Sequence, residues 1–273
     1  MDHSIVLVTG SSGLVGSAVA GALRAGGWLV RGLDVRPGPE TTHLADLDEP
    51  GEALDGVGAV VHAAALHAPH VGVLPDAEFH RVNVHATTRL VRRAADRGVR
   101  RFVYTSSTSV YGHALVGTDA AVWVTEELAP RPRDVYDVTK LAAERVVRAS
   151  GLPNVVLRIA RCFPEPPEVT AVHRLHRGVD LADVVDAHLL ALSTPGADGV
   201  YTIAGPTVFE PGDGVALWQD APSVIDRRVP GARAAFAARG WRLPDRIDRV
   251  YDSSAAARDL GYRPSRGLSA LLA

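Results

Sequence analysis

Short apolar runs alternate along this chain with stretches of helical spacing. Residues 5–8 are uniformly apolar and rich in β-branched side chains, which predicts a strand buried on both faces. Leu14, Val15, Val19 and Leu23 then recur at the spacing of a helix. The same alternation continues down the chain. Strands are predicted at residues 28–33, 57–61, 101–105, 155–159 and 200–203, with a short apolar segment at 44–47. Helices are predicted at 49–54, 77–97, 135–149 and 177–192, the second stopping at Gly98 and the third at Gly151. Strands that alternate with helices imply an α/β protein with a doubly wound parallel sheet. Proline-punctuated pieces at 164–168 and from 206 onward break the pattern.

The connection after the first strand is specific. Gly10, Gly13 and Gly16 stand three apart between strand and helix. In a turn of this kind the first glycine lets the chain reverse and the second lets backbone amides approach a pyrophosphate. The third lets helix and strand pack closely. The segment Gly10, Ser12, Gly13, Leu14, Val15, Gly16 is therefore a candidate dinucleotide cradle, with the positive helix end facing the phosphates. Asp34 ends the second strand 18 residues beyond Gly16, about where a ribose-binding carboxylate belongs. These features give a Rossmann fold over residues 1–162 with 181–205. The proline-rich pieces, 163–180 with 206–273, form a small discontinuous lobe for substrate.

Composition narrows the options. The 273 residues suit one such domain plus a small lobe. A formal charge of −2 gives no electrostatic case for nucleic acid or an anionic membrane. A lone cysteine, Cys162, excludes an intrachain disulfide and, with no visible secretory signal, points to a cytoplasmic protein. Of 29 basic residues a single one, Lys140, is lysine, which draws attention to its neighbourhood.

Tyr136 lies four residues before Lys140 in a predicted helix, so the two share a face. A free phenol is a poor acid or base at neutral pH; a nearby ammonium favours its ionised form. Ser106 and Ser107 follow the strand at 101–105, at the carboxyl edge where open α/β sheets bind ligands. A hydroxyl there holds a substrate oxygen and shares a proton with the tyrosine. His62, His67, His70 and His173 show no metal-ligand spacing, so no metal is expected. Cys162 has no identifiable base partner and reads as a small buried residue.

Thr9-Gly10-x-x-Gly13-x-x-Gly16, Ser106 to Gly112 and Tyr136-x-x-x-Lys140 together resemble the extended short-chain dehydrogenase/reductases, the NAD-dependent epimerase/dehydratase group. The resemblance covers about residues 4–205 and returns at 257–264. It implies that Ser107 is the catalytic serine, Tyr136 the general acid/base, and Lys140 the group that orients the ribose and tunes the phenol. It also implies that Asp34 binds the adenosine ribose, that Asp46 and Leu47 flank the adenine, that Ala63, Ala64 and Ala65 line the dinucleotide, and that Asn83 lies on the cofactor side. Asp34 favours NAD over NADP, because a carboxylate accepts from the 2′-hydroxyl and repels a 2′-phosphate; Arg36 is the group that would welcome that phosphate.

The piece between the strand at 155–159 and Asp183 is shorter than nucleotide-sugar enzymes of the group require, which makes a small substrate plausible. Residues 158–166 also resemble uronate dehydrogenases, in which case Arg161 or Arg174 clamps a substrate carboxylate. The leading expectation is an oxidoreductase that moves hydride to or from a sugar-like carbon. The alternative is a nucleotide-sugar epimerase or dehydratase that keeps NAD bound. A non-catalytic dinucleotide sensor is a third reading. The helices at 77–97 and 135–149 resemble those of the group's dimer interface, so a homodimer is expected.

Overall fold

The computed structural model describes residues 5–272. Strands β1 (Ile5–Thr9), β2 (Val30–Asp34), β3 (His43–Leu44), β4 (Val57–His62), β5 (Arg101–Ser107), β7 (Asn154–Ile159) and β8 (Gly199–Ile203) form one sheet, order β3-β2-β1-β4-β5-β7-β8. Every pairing in it is parallel. The order reverses between β1 and β4, which opens a crevice at their carboxyl ends. Helices cover both faces, so alternate strand residues enter two separate cores. Val6 and Val8 pack with Val19, Leu23, Val61, Val103 and Val184. Leu7 packs on the other face with Leu33, Leu54, Val60, Leu90 and Phe102. That is why these strands read as continuous apolar runs rather than alternating ones.

The main helices are α1 (Leu14–Ala25), α2 (Asp76–Phe79), α3 (Thr87–Asp96), α4 (Val135–Arg148), α5 (Pro167–His176) and α6 (Leu181–Ser193). A third core unites Ala171, Leu175, Phe209, Leu217, Ile225, Phe236, Ile247 and Val250, gathering α5 and the segment after residue 206 into a lobe. Two three-residue strands, β6 (Val122–Val124) and β9 (Arg249–Tyr251), pair in parallel beside it. Tyr251, Ala256, Leu260 and Tyr262 return to the first core. Among the described residues, no helix is long and apolar enough to cross a membrane.

Several elements differ from the sequence expectation. Residues 49–54 hold only a 3-10 turn, Gly51–Leu54, started by Pro50. The helix expected at 77–97 is interrupted by a π segment, His80–Ala86, between α2 and α3. The helix expected from residue 177 begins at Leu181, because Asp180 caps it by accepting from the Ala182 amide at 2.8 Å. Residues 161 and 177–179 instead bond to each other: Arg161 N donates to Arg177 O at 3.1 Å and Val179 N to Arg161 O at 3.0 Å. Helix α5 is not anticipated, since Pro164, Pro166 and Pro167 read as breakers. Pro167 is tolerated because it opens the helix, where its missing N–H would have no partner.

Three buried imidazoles set the acid sensitivity of this fold. His62 bridges Thr9 (2.7 Å) and Thr87 (2.8 Å), and His188 bridges Thr105 and the Val184 carbonyl, both at 2.8 Å. The His176 ring bonds the Arg249 carbonyl at 2.7 Å. Burial pulls their pKa values down to about 3, 4 and 3 for His62, His188 and His176. The unfolded chain therefore binds more protons than the folded one below about pH 6.5, and stability falls as pH falls through that region. Each imidazole removes about 1.4 kcal/mol between about pH 7.5 and 5.5, or about 4 kcal/mol for the three. Urea unfolding at the two pH values reads this directly, and a pH-independent midpoint would contradict it.

Candidate active site

At the crevice, Gly10 adopts φ +72°. A Cβ there would lie 2.7 Å from Ala64 N and 2.9 Å from Ala63 C, so the turn is pressed against the chain leaving β4. Gly16 is tighter, since its Cβ would stand 2.1 Å from Gly10 O. Gly13 is different: its Cβ would meet Gly10 O alone, at 3.2 Å, and otherwise project into the open crevice. Gly13 also N-caps α1 with no side-chain hydrogen bond, and the first turn carries no acidic residue. The amides of Leu14 and Val15 thus belong to a helix start suited to an anion.

Asp34, 8 % exposed, ends β2 beside this turn. Its Oδ2 accepts from Ser12 N at 3.0 Å and its Oδ1 from Arg36 N at 2.9 Å. The Arg36 guanidinium is largely exposed and stands off at 4.0 Å. Ser12 Oγ donates to Arg36 O at 2.7 Å and pairs with Thr41 Oγ1, fastening the loop after β2 onto the glycine turn. Asp46 is ion-paired with Arg81 at 3.5 Å. Leu47 is 5 % exposed and belongs to the core of Leu7 and Leu33, so only its backbone is available to a ligand.

Ala63, Ala64 and Ala65 leave β4 half-buried. The following Leu66 is gripped by Asn83, whose Oδ1 accepts from Leu66 N at 2.8 Å while Nδ2 donates to Leu66 O at 3.1 Å. Asn83 Nδ2 also reaches Thr139 Oγ1 on α4, at 3.2 Å. Asn83 lies within the π segment. Bulges of this kind recur at functional sites.

Ser107 ends β5 and Tyr136 lies in the first turn of α4, near enough for the serine hydroxyl to act on the phenol. Ser107 Oγ also accepts from Ser109 N at 3.1 Å. Burial pushes the phenol up to about 12, and the Ser107 hydroxyl pulls the other way. Lys140, 3 % exposed, donates from Nζ to Thr105 O at 2.7 Å and lies 4.3 Å from the centre of the Tyr104 ring. Burial pulls Lys140 down to about 7, against the raising influence of Glu144. The phenol of the free chain thus stands above its ordinary value rather than below it, because desolvation outweighs the Ser107 hydroxyl and the Asp137 and Asp134 carboxylates raise it further.

Strand alternation separates the two serines. Ser106 faces away from Ser107 and donates to Glu144, so its hydroxyl is already engaged inside the protein. Arg174 is likewise withdrawn: it donates to Asp180 Oδ2 at 2.7 Å and to Arg266 O at 2.8 Å, joining α5 to the C-terminal segment. Arg161 stays at the sheet edge, two residues beyond Ile159, the register partner of Ser107. It is 45 % exposed and paired with Glu165 at 2.6 Å. The metal question leaves His67 without a role, but its ring lies 6.4 Å from that of Tyr136 and burial lowers it to about 4. Among the described residues, no group of three or more His, Cys, Asp or Glu is arranged to hold a metal ion.

An open glycine cradle, a helix start with no acidic residue in its first turn, a carboxylate at the end of β2 and a buried ammonium with donor capacity to spare fit a nicotinamide dinucleotide laid across the crevice. The fold and site thus define a dinucleotide-binding α/β protein. The chain belongs to the NAD dependent epimerase/dehydratase family, whose model matches residues 6–172. It is 35 % identical over 161 residues to a 3 beta-hydroxysteroid dehydrogenase/Delta 5-->4-isomerase of Mycobacterium tuberculosis, a match covering 54 % of this chain and 42 % of that protein. The chain thus spans less than half the length of that relative. It is 28 % identical to the dTDP-glucose 4,6-dehydratase of Streptomyces griseus, over 97 % of this chain and 90 % of the other. Among solved structures it resembles MoeE5 in complex with UDP-glucuronic acid and NAD, with TM-score 0.71 and 26 % identity over 98 % of this chain and 96 % of that one. UDP-glucuronic acid 4-epimerase from Bacillus cereus shares the fold, with TM-score 0.70 and 21 % identity at the same coverages.

Proposed function

We propose that this chain is an NAD-dependent oxidoreductase acting at a hydroxyl or carbonyl carbon of a sugar or sugar acid. The observation that carries the reading is the placement of Ser107 at the end of β5 and of Tyr136 in the first turn of α4, near enough for the serine hydroxyl to act on the phenol, with Lys140 buried one turn further along that helix. Tyr136 holds and moves the proton on the substrate oxygen, and Ser107 fixes that oxygen by a hydrogen bond. Lys140 has one described acceptor, Thr105 O, which leaves donor capacity for ribose hydroxyls. NAD, when bound, would supply the hydride acceptor and a positive charge. With its proton held up to about 12 in the free chain, Tyr136 acts as an acid toward a carbonyl oxygen, and a cationic neighbour prepares it to act as a base.

Asp34 supports NAD over NADP, since its buried carboxylate lies beside the glycine turn while the Arg36 guanidinium is largely exposed. Gly10, Gly13, Gly16, Ala63 to Ala65 and Asn83 complete the cofactor side. The lobe of residues 163–180 and 206–273 takes the substrate, with Arg161 as the basic group at the cleft edge. A homodimer through residues 77–97 and α4, in the cytoplasm, completes the reading; light scattering checks the mass.

The near full-length match to a dehydratase supports a second reading, in which hydride returns to the same substrate. One experiment separates the two. Purified protein is incubated with NAD and free sugar acids, and in parallel with UDP- and dTDP-sugars. Net formation of reduced cofactor supports the dehydrogenase. Isomerised or dehydrated nucleotide sugar without net reduction supports the alternative. Bound dinucleotide with no turnover in either arm points to a sensor.

A further inference from the structure

Helix α4 carries a third side chain in line with the two already described. Glu144 lies four residues beyond Lys140 and eight beyond Tyr136, so the three share one face. All are buried, at 7 %, 3 % and 3 % exposure for Tyr136, Lys140 and Glu144. Arg158 Nε donates to Glu144 Oε1 at 3.0 Å and Oε2 at 3.2 Å, and its terminal nitrogen to Oε2 at 2.7 Å. Ser106 Oγ donates to Oε1. Ser106 and Arg158 are register partners on β5 and β7, so one carboxylate joins both strands to the catalytic helix. Arg158 also lies 5.0 Å from the ring centre of Tyr111, in the turn that follows Ser107.

A buried ion pair is a weak source of stability, because desolvation offsets most of its Coulomb attraction. Its placement suggests another role. Burial opposes a charged Lys140, and the carboxylate acting on it is that of Glu144, from one turn further along the same helix. The other groups facing Lys140 are the Tyr104 ring and Thr105 carbonyl of β5, and the His62 and His67 rings from β4 and the loop after it. Glu144 is faced by Arg158 from β7, by Ser106 and Tyr104 from β5, and by Lys140 from its own helix.

We propose that Glu144 is a positioning residue of this site: gripped by Arg158 and Ser106, its carboxylate keeps the Lys140 ammonium charged and ties the strand end bearing Ser107 to the helix bearing Tyr136. The inference rests on the reading of Ser107, Tyr136 and Lys140 given above, and its test does not require turnover.

Lys140 is the one lysine in the chain. Protein grown on lysine labelled with 13C at Cε therefore shows a single side-chain resonance, whose titration reads Lys140 alone. Glu144→Gln keeps the shape and an acceptor for Ser106 but deletes the charge. The midpoint of that titration is expected to fall by about one pH unit. Arg158→Gln is expected to raise it. The double variant Glu144→Gln/Arg158→Gln leaves no orphaned buried ion and decides the matter if the single one does not fold; its midpoint falls in the same direction as that of Glu144→Gln. With turnover, the alkaline limb of the kcat/KM profile of Glu144→Gln moves to lower pH, and NAD binding, read by fluorescence quenching, weakens at neutral pH. A purely structural carboxylate would change the unfolding midpoint alone. An unchanged Lys140 titration in a folded Glu144→Gln or double variant overturns the proposal. A shifted titration in a protein with no activity on any substrate would instead retire the enzymatic reading and leave the influence of Glu144 on Lys140 standing.

Discussion

Tyr136→Phe is expected to lower kcat by about 10²–10⁴-fold while leaving the affinity for NAD nearly unchanged. On the proposed reading the phenol moves the proton on the substrate oxygen, and its removal deletes that path. The ring itself packs in the wall beside His67, so phenylalanine preserves the shape of the cleft. Little stability should be lost, because the substitution removes a single hydroxyl and Ser107 retains Ser109 N. Single-turnover kinetics with NAD titrated separately distinguish the two quantities. A variant that keeps more than about a tenth of the wild-type rate would remove Tyr136 from the chemistry.

The glycine turn yields the second large effect, and it divides between folding and binding. Gly16→Ala is expected to cost about 3 kcal/mol, because the new methyl would stand 2.1 Å from Gly10 O and 2.7 Å from Gly10 C, both backbone atoms that cannot rotate away. Gly13→Ala is expected to behave otherwise. Its φ of −85° and ψ of 166° suit any residue, and its methyl meets a single atom at 3.2 Å before entering the crevice. The fold should survive within about 1 kcal/mol, while NAD affinity falls by about tenfold or more as the methyl occupies the path of the pyrophosphate. Urea unfolding and dinucleotide titration of both variants test the division. Equal losses of stability would show that the two glycines serve one purpose.

Much of this architecture is written locally. The run of residues 5–8, the three glycines and the acid at Asp34 lie within one strand–turn–helix–strand unit, and the structure holds them together by short-range contacts: Gly10 N to Leu33 O at 2.9 Å and Ser12 N to Asp34 at 3.0 Å. Tyr136 and Lys140 were legible for the same reason, since four residues on a helix put two side chains on one face. Other elements were not written locally. The β6–β9 pair joins three-residue segments remote in sequence, with no turn between them to announce it. Helix α5 hides behind three prolines whose breaking tendency disappears at a helix start. The π segment around Asn83 depends on a side chain that bonds to Leu66 and Thr139, from two other elements.

The amino-acid sequence by itself determined the alternation of strands and helices, the glycine cradle with its carboxylate, and the tyrosine–lysine pair, because each depends on spacing within a few turns of chain. Tertiary structure alone decided which of two adjacent serines lies near the phenol, why Arg174 is spent on Asp180 and Arg266 while Arg161 stays at the edge, and that burial raises the Tyr136 phenol and lowers Lys140. Those outcomes follow from burial and from partners brought in by distant strands. Desolvation sums over everything that surrounds a group, so no spacing rule contains it.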